Sequence, residues 1–105
     1  LLAWANTIEK HAAAITERLS VDTGRLAIAR IEVLSVVGIL RRWAERGPAI
    51  IAGLDRQDEP SATPGVTLSN RHVPYPLLGV IAPWNFPLLL ALIDAIPALM
   101  AGCAA

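Results

Sequence analysis

The 105-residue sequence predicts an α/β fold in which N-terminal helices pack against the first βα(β) unit of a parallel sheet. Two amphipathic patterns, over residues 1–19 and 26–46, predict the helices. A short apolar run, a tight turn and a helix-length apolar segment within residues 77–100 predict the βα unit. The composition is 54% hydrophobic and 17% charged, against about 25% charged in typical soluble domains. We therefore expect broad apolar faces that need partners.

The two N-terminal helices are predicted from apolar residues that recur at steps of three and four. In the first helix these are Ile8, Ala12, Ile15 and Leu19, and in the second Leu26, Ala29, Val33, Val37, Leu40 and Ala44. The sequence SVDTG separates the helices, and Gly47-Pro48 is predicted to end the second. Gly38 would let another backbone approach the second helix closely. Because its apolar face is broad, this helix should pack on the first helix and on a further element.

The rest of the chain alternates between polar and apolar segments. Residues 53–65 are rich in Pro, Gly, Asp and Ser, which predicts a loop. A half-exposed strand is predicted near 66–72 from its alternating side chains. The continuous apolar run 77–82 predicts a strand buried on both faces. Residues 88–100 predict an apolar helix, and 103–105 could open the next strand.

Charge, cysteine content and the chain ends limit the possible functions. Nine basic and nine acidic residues balance, so no long-range field favours nucleic acid or an anionic surface. One cysteine excludes an internal disulfide and is consistent with a cytoplasmic protein. Residues 86–105 are long enough to span a membrane, but Asp94 near the middle would cost about 2.5–3.5 kcal/mol, so we expect a buried helix. Both ends interrupt a pattern, which indicates a piece of a longer protein.

The segment GVIAPWNFPLLLAL, residues 79–92, places one amide, Asn85, in the most apolar part of the chain. Burying an amide without partners costs about 2–7 kcal/mol. Asn85 could cap the following helix, with Pro87 in its first turn. Alternatively, the amide of Asn85 could have a chemical role. Spacing alone favours the cap.

Residues 79–105 resemble the first strand, turn and helix of the nucleotide-binding domain in NAD(P)-dependent aldehyde dehydrogenases. The matching residues are Gly79, Val80, Ile81, Pro83, Trp84, Asn85, Phe86, Pro87, Pro97, Ala98, Leu99 and Gly102. The segments SVDTGR and SNRHVP are similar to the family more loosely. The resemblance implies an N-terminal helical segment over 1–52, a loop and strand of an oligomerisation or bridging arm over 53–76, and the start of a Rossmann-like domain over 77–105.

The resemblance also implies a chemistry. In the family, the amide at the position of Asn85 stabilises the oxyanion that forms when a cysteine thiolate attacks an aldehyde, which makes Asn85 a catalytic residue. The family's cofactor, NAD or NADP, is lined at these positions by Ile81, Ala82, Pro83 and Trp84, mainly through backbone groups. Phe86 and Leu90 match positions that line the aldehyde tunnel, although Leu90 fits helix packing equally well.

The resemblance further implies an aldehyde substrate, a carboxylic acid product, and a dimer or tetramer without nucleic acid, membrane or metal partners. The family's catalytic cysteine and glutamate lie outside this chain, so we expect these residues alone to be inactive. Cys103 is interpreted as a small buried residue. Asp94 departs from the lysine that is common in the family. The alternative is a non-catalytic helical module for a partner or a membrane, and a continuation past Ala105 would argue against it.

Overall fold

The computed structural model describes all residues from 1 to 105 and combines four helices with one two-stranded sheet. The elements are α1 (Leu2–Lys10), α2 (Ala12–Thr23), α3 (Leu26–Ala52), β1 (Arg56–Pro60), β2 (Thr67–Asn70) and α4 (Pro87–Met100). The molecule is elongated, with extents of 64 × 24 × 21 Å and a radius of gyration of 18.5 Å. A compact chain of this length would have a radius of gyration of about 13 Å.

The predicted first helix is divided in two. His11, with φ −102° and ψ 13°, separates α1 from α2. The N–H of His11 still donates to the carbonyl of Thr7 at 3.1 Å, so the chain bends without losing the backbone ladder. Helix α2 runs to Thr23, beyond residue 19, where the first helix was predicted to end. Within this extension the hydroxyls of Ser20 and Thr23 donate to the carbonyls of Thr16 and Leu19, one turn earlier.

The prediction that Gly47-Pro48 ends α3 is wrong, because the helix continues through Pro48 to Ala52. Packing explains the difference. Gly47 is buried, and a Cβ added there would lie 2.8 Å from Cγ of Met100. The missing side chain lets α4 approach α3, and this contact offsets the hydrogen bond that proline removes. The sequence predicted a close approach of another backbone at Gly38, but no atom lies within 4 Å of a Cβ added there.

The predicted loop at 53–65 contains a strand. β1 pairs antiparallel with β2, with Arg56 opposite Asn70 and Glu59 opposite Leu68. All residues of both strands are exposed, so the predicted half-burial of β2 is wrong although its position is confirmed. Polar residues can form such a ribbon because neither face covers a core. Side chains supplement its ladder: Asn70 Oδ1 accepts the N–H of Arg56 at 2.8 Å.

The buried strand predicted at 77–82 is not formed. Only a parallel bridge between Leu77 and Ala104 is present, in which the N–H of Leu78 donates to the carbonyl of Ala104 at 2.8 Å. Leu77 is 74% exposed and Ile81 99% exposed. A strand needs neighbours for its backbone groups and faces, and this segment has one such contact. The predicted apolar helix is confirmed as α4, and Gly102 follows it with φ 97°.

The hydrophobic core lies where α3 meets α1 and α4. Its seven buried residues are Ala5, Ile8, Val33, Val36, Val37, Leu40 and Ile96. The prediction that α3 packs on the first helices and on a further element is therefore confirmed, since α3 contacts α1, α2 and α4. No helix combines the length and apolar character needed to cross a membrane.

Gly38→Ala should raise the free energy of unfolding by about 0.5–1 kcal/mol. Alanine loses less backbone entropy than glycine in a helix, and the added methyl group meets no atom. Urea unfolding would measure the change, with Gly47→Ala as the matched control. In Gly47→Ala the methyl group must displace Met100, so the gain should be smaller or reversed. A destabilised Gly38→Ala protein would contradict the prediction.

The base of the hairpin should weaken in acid. Asp55 Oδ1 accepts the backbone N–H of His72 at 2.7 Å, and this hydrogen bond holds the pKa of the Asp55 carboxyl below its ordinary value. The carboxyl therefore binds its proton more weakly in the folded hairpin than in the unfolded chain. The contact stabilises fully above the unfolded-state pKa of about 3.9 and is lost as pH falls through the lower folded-state pKa.

A pH titration followed by NMR would test this prediction. The Asp55 carboxyl and the His72 amide should titrate together, below the ordinary range of aspartate, and Asp55→Asn should abolish the transition at His72. Titration of Asp55 at its ordinary pKa would show that the contact contributes nothing.

Candidate functional site

The turn before α4 leads the chain from the exposed segment at 77–82 into the core. Phe86 is the N-cap residue of α4, and Pro87 occupies its first position, where proline is favoured. No side chain of the turn caps the helix. The N-cap role that spacing favours for Asn85 is therefore wrong. Asn85 is half-buried, and its side-chain amide makes no hydrogen bond within the chain. Because no buried polar side-chain atom lacks a partner, the amide atoms of Asn85 are accessible to solvent.

The first turn of α4 is capped from a distant helix. Glu32 of α3 accepts the N–H groups of Leu88 and Leu89 with the same oxygen, Oε2, at 3.0 Å each. Glu32 is only 1% exposed and is the buried charged residue of the core. The first N–H groups of a helix have no partner inside it, and a carboxylate there also interacts favourably with the helix dipole. The sequence pattern did not predict this contact.

Arg25 holds the turn at a second point. Its Nη1 donates to the carbonyl oxygen of Asn85 at 2.8 Å. Its guanidinium carbon lies 5.1 Å from the centre of the Phe86 ring, within cation–π distance. Arg25 directly follows Gly24, whose φ of 69° suits glycine and ends α2. Arg25 and Glu32 are two helical turns apart, so one side of α3 supplies both contacts.

A sequence signal for Glu32 existed. Glu32 stands three residues after Ala29 and four before Val36, so it lies on the apolar side of α3 and not on the polar side. A carboxylate in such a position needs a partner. The partner could not be read from the pattern, because it is a backbone N–H pair more than 50 residues away.

The other residues predicted for the site lie along one continuous stretch. Ile81 and Trp84 are 99% and 74% exposed. Ala82 is half-buried and Pro83 exposed, while Phe86 and Leu90 are half-buried at the start of α4. In residues 79–85 the backbone N–H groups form no hydrogen bonds within the chain, and Pro83 has no N–H group. The stretch therefore presents free backbone groups and apolar side chains on the surface.

Other candidate residues are structurally ordinary. Cys103 is a half-buried free thiol whose backbone N–H donates to the carbonyl of Ala98 at 3.0 Å. Asp94 is exposed on α4. No three side chains of His, Cys, Asp or Glu come together as metal ligands. A groove of about 880 Å³ lies between α2 and α3, lined mostly by apolar residues, and it does not include the turn.

Comparison with known proteins covers the whole chain. The model of the aldehyde dehydrogenase family matches residues 1–105. Geranial dehydrogenase of Castellaniella defragrans is 32% identical over 106 residues, which cover 99% of this chain and 21% of that protein. Succinate-semialdehyde dehydrogenase [NADP(+)] 1 of Mycobacterium tuberculosis is 37% identical over 107 residues, which cover 94% of this chain and 22% of that protein.

A more distant relative and the solved structures complete the comparison. The 4,4'-diapolycopene aldehyde oxidase of a Methylomonas species is 29% identical over 90 residues, covering 84% of this chain and 17% of that protein. No solved structure matches significantly. The chain spans about a fifth of the length of these curated relatives. The family match extends over every residue, including the turn that Arg25 and Glu32 hold, and the chain belongs to the aldehyde dehydrogenase family.

Proposed function

We propose that this chain is the N-terminal part of an NAD(P)-dependent enzyme that oxidises an aldehyde to a carboxylic acid. The match of the family model to residues 1–105 supports the reaction class. The names of two relatives, geranial dehydrogenase and succinate-semialdehyde dehydrogenase [NADP(+)] 1, refer to aldehydes. In this reaction a cysteine thiolate adds to the aldehyde carbonyl, a hydride leaves the resulting thiohemiacetal, and water hydrolyses the thioester. The cysteine and the glutamate base belong to residues outside this chain.

Asn85 is the catalytic residue that this chain contributes. The observation that carries the proposal is that the amide of the half-buried Asn85 has no partner in the chain and reaches solvent, although the surrounding backbone is held by Arg25 and Glu32. An amide N–H that is fixed before the reaction can donate to the oxygen of the aldehyde as negative charge develops on it. Because the amide is neutral, it stabilises the oxyanion without adding a charge to the substrate-free site.

The residues Ile81, Ala82, Pro83 and Trp84 form part of the cofactor cleft. Their exposed position and free backbone groups fit a dinucleotide that is held mainly by main-chain contacts. The cofactor, NAD or NADP, supplies the hydride acceptor when bound. The chain's own contribution is to line the cleft and to exclude water with the side chains of Ile81 and Trp84. Phe86 and Leu90, at the start of α4, line the aldehyde's path.

The exposed segment at 77–82 becomes a buried strand when further strands are added. Its bridge to Ala104 is parallel, which is the arrangement that begins a Rossmann-like sheet. Residues 1–52, 53–76 and 77–105 then form the helical segment, the oligomerisation arm and the start of the nucleotide-binding domain. The fully exposed β1–β2 ribbon fits an arm that pairs with another subunit in a dimer or tetramer. We place the enzyme in the cytoplasm, without nucleic acid, membrane or metal partners.

The intact mass of the native protein separates this proposal from a non-catalytic helical module. A mass several times the 11.2 kDa of this chain supports the enzyme, because the relatives are about five times longer. The full-length protein should then reduce NAD or NADP when an aldehyde is added. A native mass near 11.2 kDa would overturn the proposal, since the active site would lack its nucleophile.

Asn85→Ala in the full-length protein should lower kcat by about 10²–10³-fold, which is typical for the loss of one oxyanion donor. The thermal unfolding midpoint should change little, because the Asn85 side chain makes no hydrogen bond in the chain. Steady-state kinetics and calorimetry would measure both quantities.

Asn6→Ala is the matched control for this substitution. It removes an exposed amide on α1, far from the turn in sequence, and kcat should stay unchanged. A normal kcat in Asn85→Ala, with or without a lower unfolding midpoint, would show that Asn85 is structural and not catalytic.

A further inference from the structure

We propose that Glu32 and Arg25 are positioning residues that set the orientation of Asn85 from the opposite side of the turn. This inference rests on the proposed function of Asn85 and adds two residues to its site. Neither side chain needs to touch the substrate. Both act through the backbone that follows the Asn85 side chain, and we call the pair the α3 clamp.

Glu32 fixes the chain just after Asn85. Its Oε2 accepts the N–H groups of Leu88 and Leu89, the third and fourth residues after Asn85. Because no side chain of the turn caps α4, this carboxylate is the acceptor that defines where the helix starts. The helix start in turn fixes the direction in which the Asn85 side chain leaves the backbone.

Arg25 fixes the peptide of Asn85 itself. The hydrogen bond from Nη1 reaches the Asn85 carbonyl at 2.8 Å, and the guanidinium lies against the ring of Phe86. Arginine can make both contacts at once because its planar group both donates and stacks. An asparagine side chain has only two rotatable bonds, so a fixed backbone leaves its amide few positions.

Precision of this kind matters for an oxyanion donor. The donor must lie about 2.7–3.1 Å from the developing charge, and a displacement of about 1 Å can lower a rate about 10²-fold. An apolar residue of similar size at position 32 would pack between the helices but would leave the N–H groups of Leu88 and Leu89 without this acceptor. The α3–α4 contact already includes Val36, Ile96 and the close approach at Gly47. The carboxylate therefore has a use beyond packing.

The experiment is a double-mutant cycle in the full-length enzyme. Glu32→Leu, which removes both acceptor oxygens at similar volume, is made alone and together with Asn85→Ala. Alone, Glu32→Leu should lower kcat by about 10–10²-fold and leave KM for the cofactor nearly unchanged. In the Asn85→Ala background the same substitution should lower kcat by less than about twofold, because Glu32 acts through a side chain that is already gone.

Two further variants separate positioning from stability. Glu32→Gln keeps an acceptor oxygen in the same place, so it should recover most of the kcat lost in Glu32→Leu. Glu9→Gln is the matched control, since it removes an exposed carboxylate of the same bundle, paired with Arg41 at 2.6 Å. Its kcat should equal that of the unchanged protein, even if its unfolding midpoint falls slightly.

The inference is overturned if Glu32→Leu lowers only the unfolding midpoint, or if it lowers kcat by the same factor with and without Asn85.

If Glu32→Leu does not fold, Arg25→Gln decides, because the half-exposed Arg25 can be replaced without opening the core. Its loss of kcat should likewise disappear in the Asn85→Ala background, and equal losses in both backgrounds would overturn the clamp. A normal kcat in Asn85→Ala itself would overturn the proposed function and, with it, the clamp. If kcat falls in Asn85→Ala but is unchanged in the Glu32 and Arg25 variants, only the clamp is overturned.

Discussion

Two N–H groups at the start of α4 need acceptors, and the turn that precedes them supplies none. Glu32 meets this need from α3, with one carboxylate oxygen at 3.0 Å from each of the Leu88 and Leu89 nitrogens. Without it, two backbone donors would be left without partners beside the core, at about 1–3 kcal/mol each. The contact also satisfies the buried acid, which would otherwise be an isolated charge. The Glu32 carboxylate and the two N–H groups therefore satisfy one another, and this contact joins the start of α4 to α3 at Glu32.

The rest of the chain is arranged around α3. Glu32 contacts the start of α4 and Gly47 its end at Met100, so the two helices run side by side in the same direction. On another side of α3, the residues Ala5 and Ile8 of α1 enter the same apolar cluster. The arrangement bears on the proposed function, because Arg25 and Glu32 hold the turn that carries Asn85. Arg25 reaches this turn from the first residues of the same helix.

The apolar surface before the turn has a different meaning. Leu77, Ile81 and Trp84 are largely exposed, and one parallel bridge is the only sheet-type pairing of this segment. The relatives that the chain matches are about five times longer. A strand with free backbone groups and exposed apolar faces suits the place where a larger sheet and a cofactor would meet. The physical character of this segment thus supports the proposed position of the cofactor cleft.

The sequence by itself determined the family and the local elements whose signals are contained in adjacent residues. The motif around Asn85 identified the family, apolar periodicity located the helices, and the apolar run after Pro87 gave α4 almost to the residue. Tertiary structure decided what depends on distant partners. Helix α3 continues past Pro48 because α4 packs closely at Gly47. The polar segment β1 is a strand because it pairs with β2. Tertiary structure also capped α4 with Glu32 and left Asn85 free, since a helix end takes whichever acceptor the fold brings within hydrogen-bond distance.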